Sequence, residues 1–276
     1  MNKFFCGGHV KTGTTFLQRL LDLHPEVICE SEHNLSLLLN RFIQVKDNYN
    51  NELKLISEAI GTETKPLPEK IYLENFYTLV EKILEVDKQE FKSSGISDNN
   101  FIILNAIPLL ERFKNVKIIY IVRNPMDVIA SMWDHWTRLY KDYNHNPNAI
   151  RVLEVDGKLD KNLFAVKYAK AWNESVKKII ENYNFSKKKV KIIKYENLKN
   201  ETFLTLSEIF EFLNVSTNKK ILDQIVSKSS LSFMRKNSTN AGFYMKARSD
   251  FGKSEFDEKT IKKIKSITKE TYSFYY

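Results

Sequence analysis

Short apolar runs alternate along this chain with longer stretches in which apolar residues recur every three or four positions, the pattern of strands separated by helices. Lys3 to Cys6, Phe101 to Leu104, Val116 to Val122 and Val190 to Ile193 are short and rich in Ile, Val or Phe, and read as strands. After the first of them, "TTFLQRLLDL" gathers its apolar positions 16, 17, 20, 21 and 23 on one helical face and stops at "HP". A second strand is expected just beyond, ending in the polar "ESEHN". Further helical patterns cover 69–86, 162–183, 201–213, 218–226 and 256–271. The expectation is an α/β fold with a central, mostly parallel sheet flanked by helices. Residues 35–95 carry helical patterns and no clear strand, which is long for a crossover, so they are read as a helical insertion within one domain spanning 1–276.

Composition narrows the classes. A chain of 276 residues with 42% hydrophobic content can bury one substantial core. No apolar run reaches the roughly 18 residues of a membrane span, and the start "MNKFFCGG" lacks the basic and apolar regions of a signal peptide, so a cytoplasmic protein is expected. Its two cysteines, Cys6 and Cys29, are too few for a disulfide framework and stand at no metal-ligand spacing; both are read as reduced, buried thiols. The net charge of +9 comes from lysines interspersed with acids, which points to a mildly basic surface that favours anionic ligands and away from a nucleic-acid tail.

Two segments carry the chemistry. In "CGGHVKTGTTF" the glycines Gly8 and Gly13 have the separation of a phosphate-binding loop, but position 14 is threonine where an ATPase has lysine. Lys11 lies inside the loop instead, where the backbone and the first helical turn, with Thr14 and Thr15, can surround an anion. The second, "VKIIYIVRNPMDVIASMWDHW", reads as a buried strand ending at Arg123, then a helix with Asn124 as N-cap, Pro125 at its first position and Asp127 two residues on. Arg123 then stands at the carboxyl end of a parallel strand and Ser131 in the second helical turn, where open α/β sheets bind ligands. Neither Val116 to Val122 nor Phe101 to Leu104 ends in the aspartate that magnesium-dependent nucleotide hydrolases use.

On these residues the sequence resembles the sulfotransferases that use 3′-phosphoadenosine 5′-phosphosulfate (PAPS), and the resemblance implies their P-loop NTPase-like fold. "KTGTTF" is similar to the family's 5′-phosphosulfate loop and "YIVRNPMDVIAS" to its 3′-phosphate motif; "KIIKYENL" and "FMRKN" are weaker likenesses. The resemblance implies that Lys11, Gly13, Thr14 and Thr15 hold the 5′-phosphosulfate and that Arg123 and Ser131 hold the 3′-phosphate. It further implies that Phe16 and Tyr195 lie beside the nucleotide, and that Arg235 and Lys236 add a late basic segment. That segment departs from the family at Asn237, where cytosolic members have glycine.

PAPS is thus the implied donor and 3′-phosphoadenosine 5′-phosphate (PAP) the product, with no metal required. The acceptor is a hydroxyl or amine; the glutamate-containing segment leans towards a sugar hydroxyl, while tyrosyl, lipid and small-alcohol acceptors fit equally well. Lys11 would follow charge onto the leaving oxygen. Small-molecule members take a base histidine from a K-T-H-x-P-like segment; "LNAIP" is matched to it here and has Ala106 at that position. Carbohydrate-modifying members use a glutamate soon after the first helix, which makes Glu32 the first choice, Glu30 the second and His33 a third. His9 is read as a further donor in the loop and His135 as a packing residue. Residues 35–95 with 142–160 are expected to form the acceptor pocket. The alternatives are a nucleotide kinase or NTPase, and a nucleotide-binding member without turnover.

Overall fold

The computed structural model describes residues 1–88, 90–142, 147–236 and 252–276. Five parallel strands form one sheet in the order β2-β3-β1-β4-β5: β1 (Asn2–Gly7), β2 (Val27–Glu30), β3 (Ser93–Ser97), β4 (Val116–Val122) and β5 (Val190–Lys194). Period-two alternation splits the strands between two cores. Phe5, Ile96, Ile118, Tyr120 and Val122 face one side, and Phe4, Cys6, Cys29, Ile119 and Ile121 the other. Helix α1 (Thr14–Asp22) covers the second side through Leu17, Leu20 and Leu21. On the first side lie α4 (Asn99–Arg112), α7 (Lys161–Phe185) and α12 (Glu258–Tyr275).

The expected α/β architecture is present, and so is the anticipated second strand, as β2. Of the four strands read from the sequence, those at Lys3, Val116 and Val190 stand. Phe101 to Leu104 is not a strand. It opens α4, because Asp98 caps that helix by accepting a hydrogen bond from the Phe101 amide, and a buried helix shows the same short apolar run as a buried strand. Pro108 is tolerated within α4; the carbonyl its ring displaces belongs to Leu104, a residue 70% exposed and open to water.

The strand that was missed is β3, "SSGIS". It is buried throughout between β1 and β2, yet nearly lacks large apolar side chains. A Cβ on Gly95 would lie 2.3 Å from the Phe4 ring, so the bulk that fills this layer comes from the neighbouring strand. Residues 35–95 hold α2 (Leu35–Ile60) and α3 (Glu69–Glu85), and the latter packs Phe76, Val80 and Leu84 into the core. They also include the start of β3, so the inserted helical part ends before Ser93. Among the described residues no helix is long and apolar enough to cross a membrane.

Candidate active site

The loop from Gly8 to Gly13 joins β1 to α1 at the carboxyl edge of the sheet, and its shape follows from three local constraints. Thr12 donates through its hydroxyl to the His9 carbonyl at 2.6 Å, closing a tight turn. Lys11 adopts φ 67°, a left-handed conformation uncommon for a residue with a side chain. Gly13 has φ 101°, and a Cβ there would lie 2.5 Å from the Tyr195 ring. Helix α1 starts at once, with no side-chain cap and no acid in its first turn, so its N-terminus favours an anion.

Helix α5 (Pro125–Asp142) begins directly after β4 and Arg123. Asn124 is its cap, as expected: its side-chain oxygen accepts from the Met126 amide at 3.0 Å. The Asn124 amide donates to Glu196 on α8 (Tyr195–Asn200), tying the start of α5 to the element that follows β5. Asp127 turns towards Arg123, 3.8 Å away, and accepts from the Gly252 amide at 2.9 Å. The Arg123 guanidinium, in a residue 5% exposed, lies 4.5 Å from the centroid of the Tyr195 ring and donates to the Lys11 carbonyl at 3.3 Å. One arginine therefore joins the loop, β4 and α8.

These parts surround a single cavity of about 940 Å³. Lys11, Gly13, Thr14, Thr15 and Phe16 line it from the loop and α1, Arg123 and Ser131 from the β4–α5 unit, and Tyr195 from α8. Phe16 and Tyr195 meet edge-on with centroids 6.4 Å apart, giving an aromatic wall beside the two cations. Burial pushes the Lys11 ammonium down to about 8, and the positive charge of Arg138 adds to that, partly countered by Asp134. The cavity thus presents a partly desolvated cation, an uncapped helix end and a buried arginine, which is what a polyanionic ligand requires.

Glu32 also lines the cavity, past the end of β2. Its Oε1 accepts from the Asn99 side-chain amide at 2.6 Å and, at 3.4 Å, from the Asn99 backbone amide at the start of α4. Beside it, Asp98 binds the Leu35 amide at 2.8 Å as well as capping α4, and burial is the main influence raising its carboxyl above the usual range. Glu30 and His33 do not line the cavity. They pair with each other at 2.9 Å, and Glu30 is also 2.8 Å from the buried Lys88, so its carboxylate is committed to a structural contact.

Several expectations need correction. His9 is buried, with Nδ1 2.9 Å from the Val10 carbonyl, and does not line the cavity. His135 does line it, on the face of α5 that carries Ser131; helical spacing from Ser131 was the signal that could have found it. Burial, with Lys11 and Arg138, pushes its imidazole down to about 4. Ala106 is buried inside α4, away from any strand end, so "LNAIP" is not the segment that faces the site. At the carboxyl end of β3 the lining residues are Ser97 and Asn99. The described residues of 35–95 and of 142–160 contribute no lining residue; much of the wall beyond the loop is α5. Lys236 is exposed at the end of α11 (Leu231–Lys236) and outside the lining, while the Arg235 side chain and Asn237 lie outside the described residues.

A parallel α/β sheet with a phosphate-type loop after its first strand, facing an arginine and a serine after its fourth, defines an enzyme of group transfer from an anionic donor. The sulfotransferase domain model matches residues 2–274, and the chain belongs to that family: it is a sulfotransferase. No curated protein matches it by sequence. Similar solved structures include the mouse sulfotransferase SULT7A1 complexed with PAP (18% identity, 98% of this chain and 83% of that one, TM-score 0.62). Another is retinol dehydratase in complex with androsterone and the inactive cofactor PAP (14%, 98% and 80%, TM-score 0.54). A third is STF9 from Mycobacterium avium (11%, 99% and 76%, TM-score 0.53). At these identities the likeness establishes the shared fold.

Proposed function

We propose that the chain transfers the sulfuryl group of PAPS to a hydroxyl of its acceptor, with a carbohydrate hydroxyl as the leading case. The observation that carries this reading is that Lys11, the bare N-terminus of α1, Arg123 and Ser131 meet in one cavity. Two structural neighbours were solved with PAP, which supports the same donor here. Bound PAPS would supply an activated sulfuryl group on a phosphate leaving group.

Each residue then has a task its surroundings suit. Lys11 and the α1 amides hold the 5′ end, and the Lys11 ammonium stabilises charge as it grows on the departing oxygen. Arg123 and Ser131 hold the 3′-phosphate, with Asp127 and the Tyr195 ring fixing the guanidinium plane. The Gly13 backbone leaves space that a side chain would fill. Glu32 takes the acceptor proton at Oε2, the oxygen Asn99 does not engage, and Asn99 fixes its orientation. Cys6 and Cys29, buried as free thiols with Sγ atoms 3.6 Å apart, suit a reducing cytoplasm.

Calorimetry tests the donor. PAP should bind without magnesium and more tightly than ATP with magnesium, and Lys11→Ala and Arg123→Ala should each weaken it. Preference for ATP, or indifference to both nucleotides, would overturn the reading. Glu32→Gln should retain PAP affinity and lose turnover; full turnover in that variant would remove Glu32 as the base.

A further inference from the structure

Helix α5 carries more positive charge into the cavity than the donor site uses. Ser131, Asp134, His135, Arg138 and Lys141 recur at helical spacing and line the cavity, together with Met132, Trp136 and Thr137, so a broad face of α5 forms its wall. Around the whole cavity five lining side chains are basic, namely Lys11, Arg123, Arg138, Lys141 and Lys199, and two are acidic, Glu32 and Asp134. Lys11 and Arg123 belong to the donor reading. Lys199 lies on α8, beyond Tyr195. That leaves Arg138 and Lys141, which stand about 10 and 15 Å further along the helix axis than Ser131. They are too far along to share the 3′-phosphate with it.

We propose that the acceptor bears an anionic group, a carboxylate, sulfate or phosphate, close to the hydroxyl that is sulfated, and that Arg138 and Lys141 receive that group. The proposal rests on the donor reading above and names the acceptor class for the same cavity. Arg138 lines the same cavity as Lys11, and its positive charge reaches the Lys11 ammonium. Its guanidinium offers five N–H donors in a planar fork, so a partner already present does not exhaust it, and the fork matches a carboxylate or sulfate.

The adjoining side chains favour a polar acceptor as well. His135 and Thr137 line the cavity beside Asp134 and Arg138, so this part of the wall carries polar side chains.

The test is calorimetry on PAP-saturated protein with three matched pairs: p-nitrophenyl β-D-glucuronide and glucoside, 4-hydroxyphenylacetate and its methyl ester, and N-acetylglucosamine 6-sulfate and N-acetylglucosamine. The expected result is tighter binding of the anionic member, by about tenfold or more in at least one pair, as a charge-assisted contact provides. Arg138→Gln should shrink that preference to about twofold or less, Arg138→Lys should keep part of it, and PAP affinity should fall by no more than about threefold in either, the share of one long-range charge at the opening. PAP affinity kept within that limit also reports that the variants fold. Equal or weaker binding of the anionic member in every pair, including no binding at all, overturns the proposal, and so does a parallel loss of PAP affinity in Arg138→Gln, which would assign Arg138 to the donor. Failure of wild-type protein to bind PAP overturns the donor reading and this inference with it.

Discussion

Lys11 shows how a single residue couples backbone, burial and charge. It sits in a left-handed conformation on the cavity wall with its ammonium pushed down to about 8, chiefly by burial. Because the folded value lies below the ordinary lysine value, the unfolded chain binds more protons between about pH 8 and that ordinary value, and stability rises with pH across this window. Charged Lys11 therefore costs stability in the free protein at neutral pH, which an anionic ligand offsets. PAP affinity should be level below pH 8 and decline above it, and Lys11→Met should lose about 1.5–3 kcal/mol of binding and flatten the alkaline decline. Calorimetry from pH 6.5 to 9.5 checks both. Gly13 gives a second outcome: its φ of 101° and the Tyr195 ring 2.5 Å from a would-be Cβ predict that Gly13→Ala lowers stability by about 1–3 kcal/mol and weakens PAP, read by urea unfolding and titration. The loop was legible in the sequence because glycine and lysine spacing is a backbone signal. His135 was not, because its role comes from the helix face it shares with Ser131 and not from any neighbour in sequence.

At the scale of elements, the contrast between β3 and α4 explains what the hydropathy pattern could and could not reveal. Strands β1, β4 and β5 supply their own apolar side chains and were recognisable. Strand β3 lies between two neighbours and leaves its space to them, so "SSGIS" looks like a loop, while the buried α4 resembles a strand. Once those two are exchanged, the histidine motif matched to "LNAIP" loses its place at a strand end, and the residues at the true strand end are Ser97, Asp98 and Asn99. The packing account has a direct check. Gly95→Ala should cost about 1–3 kcal/mol through contact with the Phe4 ring, and Phe4→Leu in the same chain should recover part of it. A double-mutant cycle with a coupling near zero would mean that Phe4 is not what demands glycine.

For the whole molecule, the net charge of +9 and the position of the cavity act together on ligand capture. The carboxyl edge of the sheet gathers the loop lysine, Lys199 and the α5 cations at one opening, so the local field there has the sign of the overall charge. Long-range attraction of this kind acts on the encounter, whereas the short contacts of Arg123 and Lys11 act on the bound state. Raising ionic strength from 0.01 to 0.15 M shortens the screening length from about 30 to about 8 Å, so the association rate of PAP should fall by about tenfold or more while its dissociation rate changes much less. Stopped-flow measurement can follow this through the fluorescence of Trp136, which lines the cavity. Arg123→Ala should show the converse, a faster dissociation with a nearly preserved association rate, because this 5%-exposed guanidinium contributes little to the field outside. If salt instead accelerated dissociation and left association unchanged, the attraction would reside wholly in the contacts of the bound nucleotide and the surplus charge around the opening would play no part in capture.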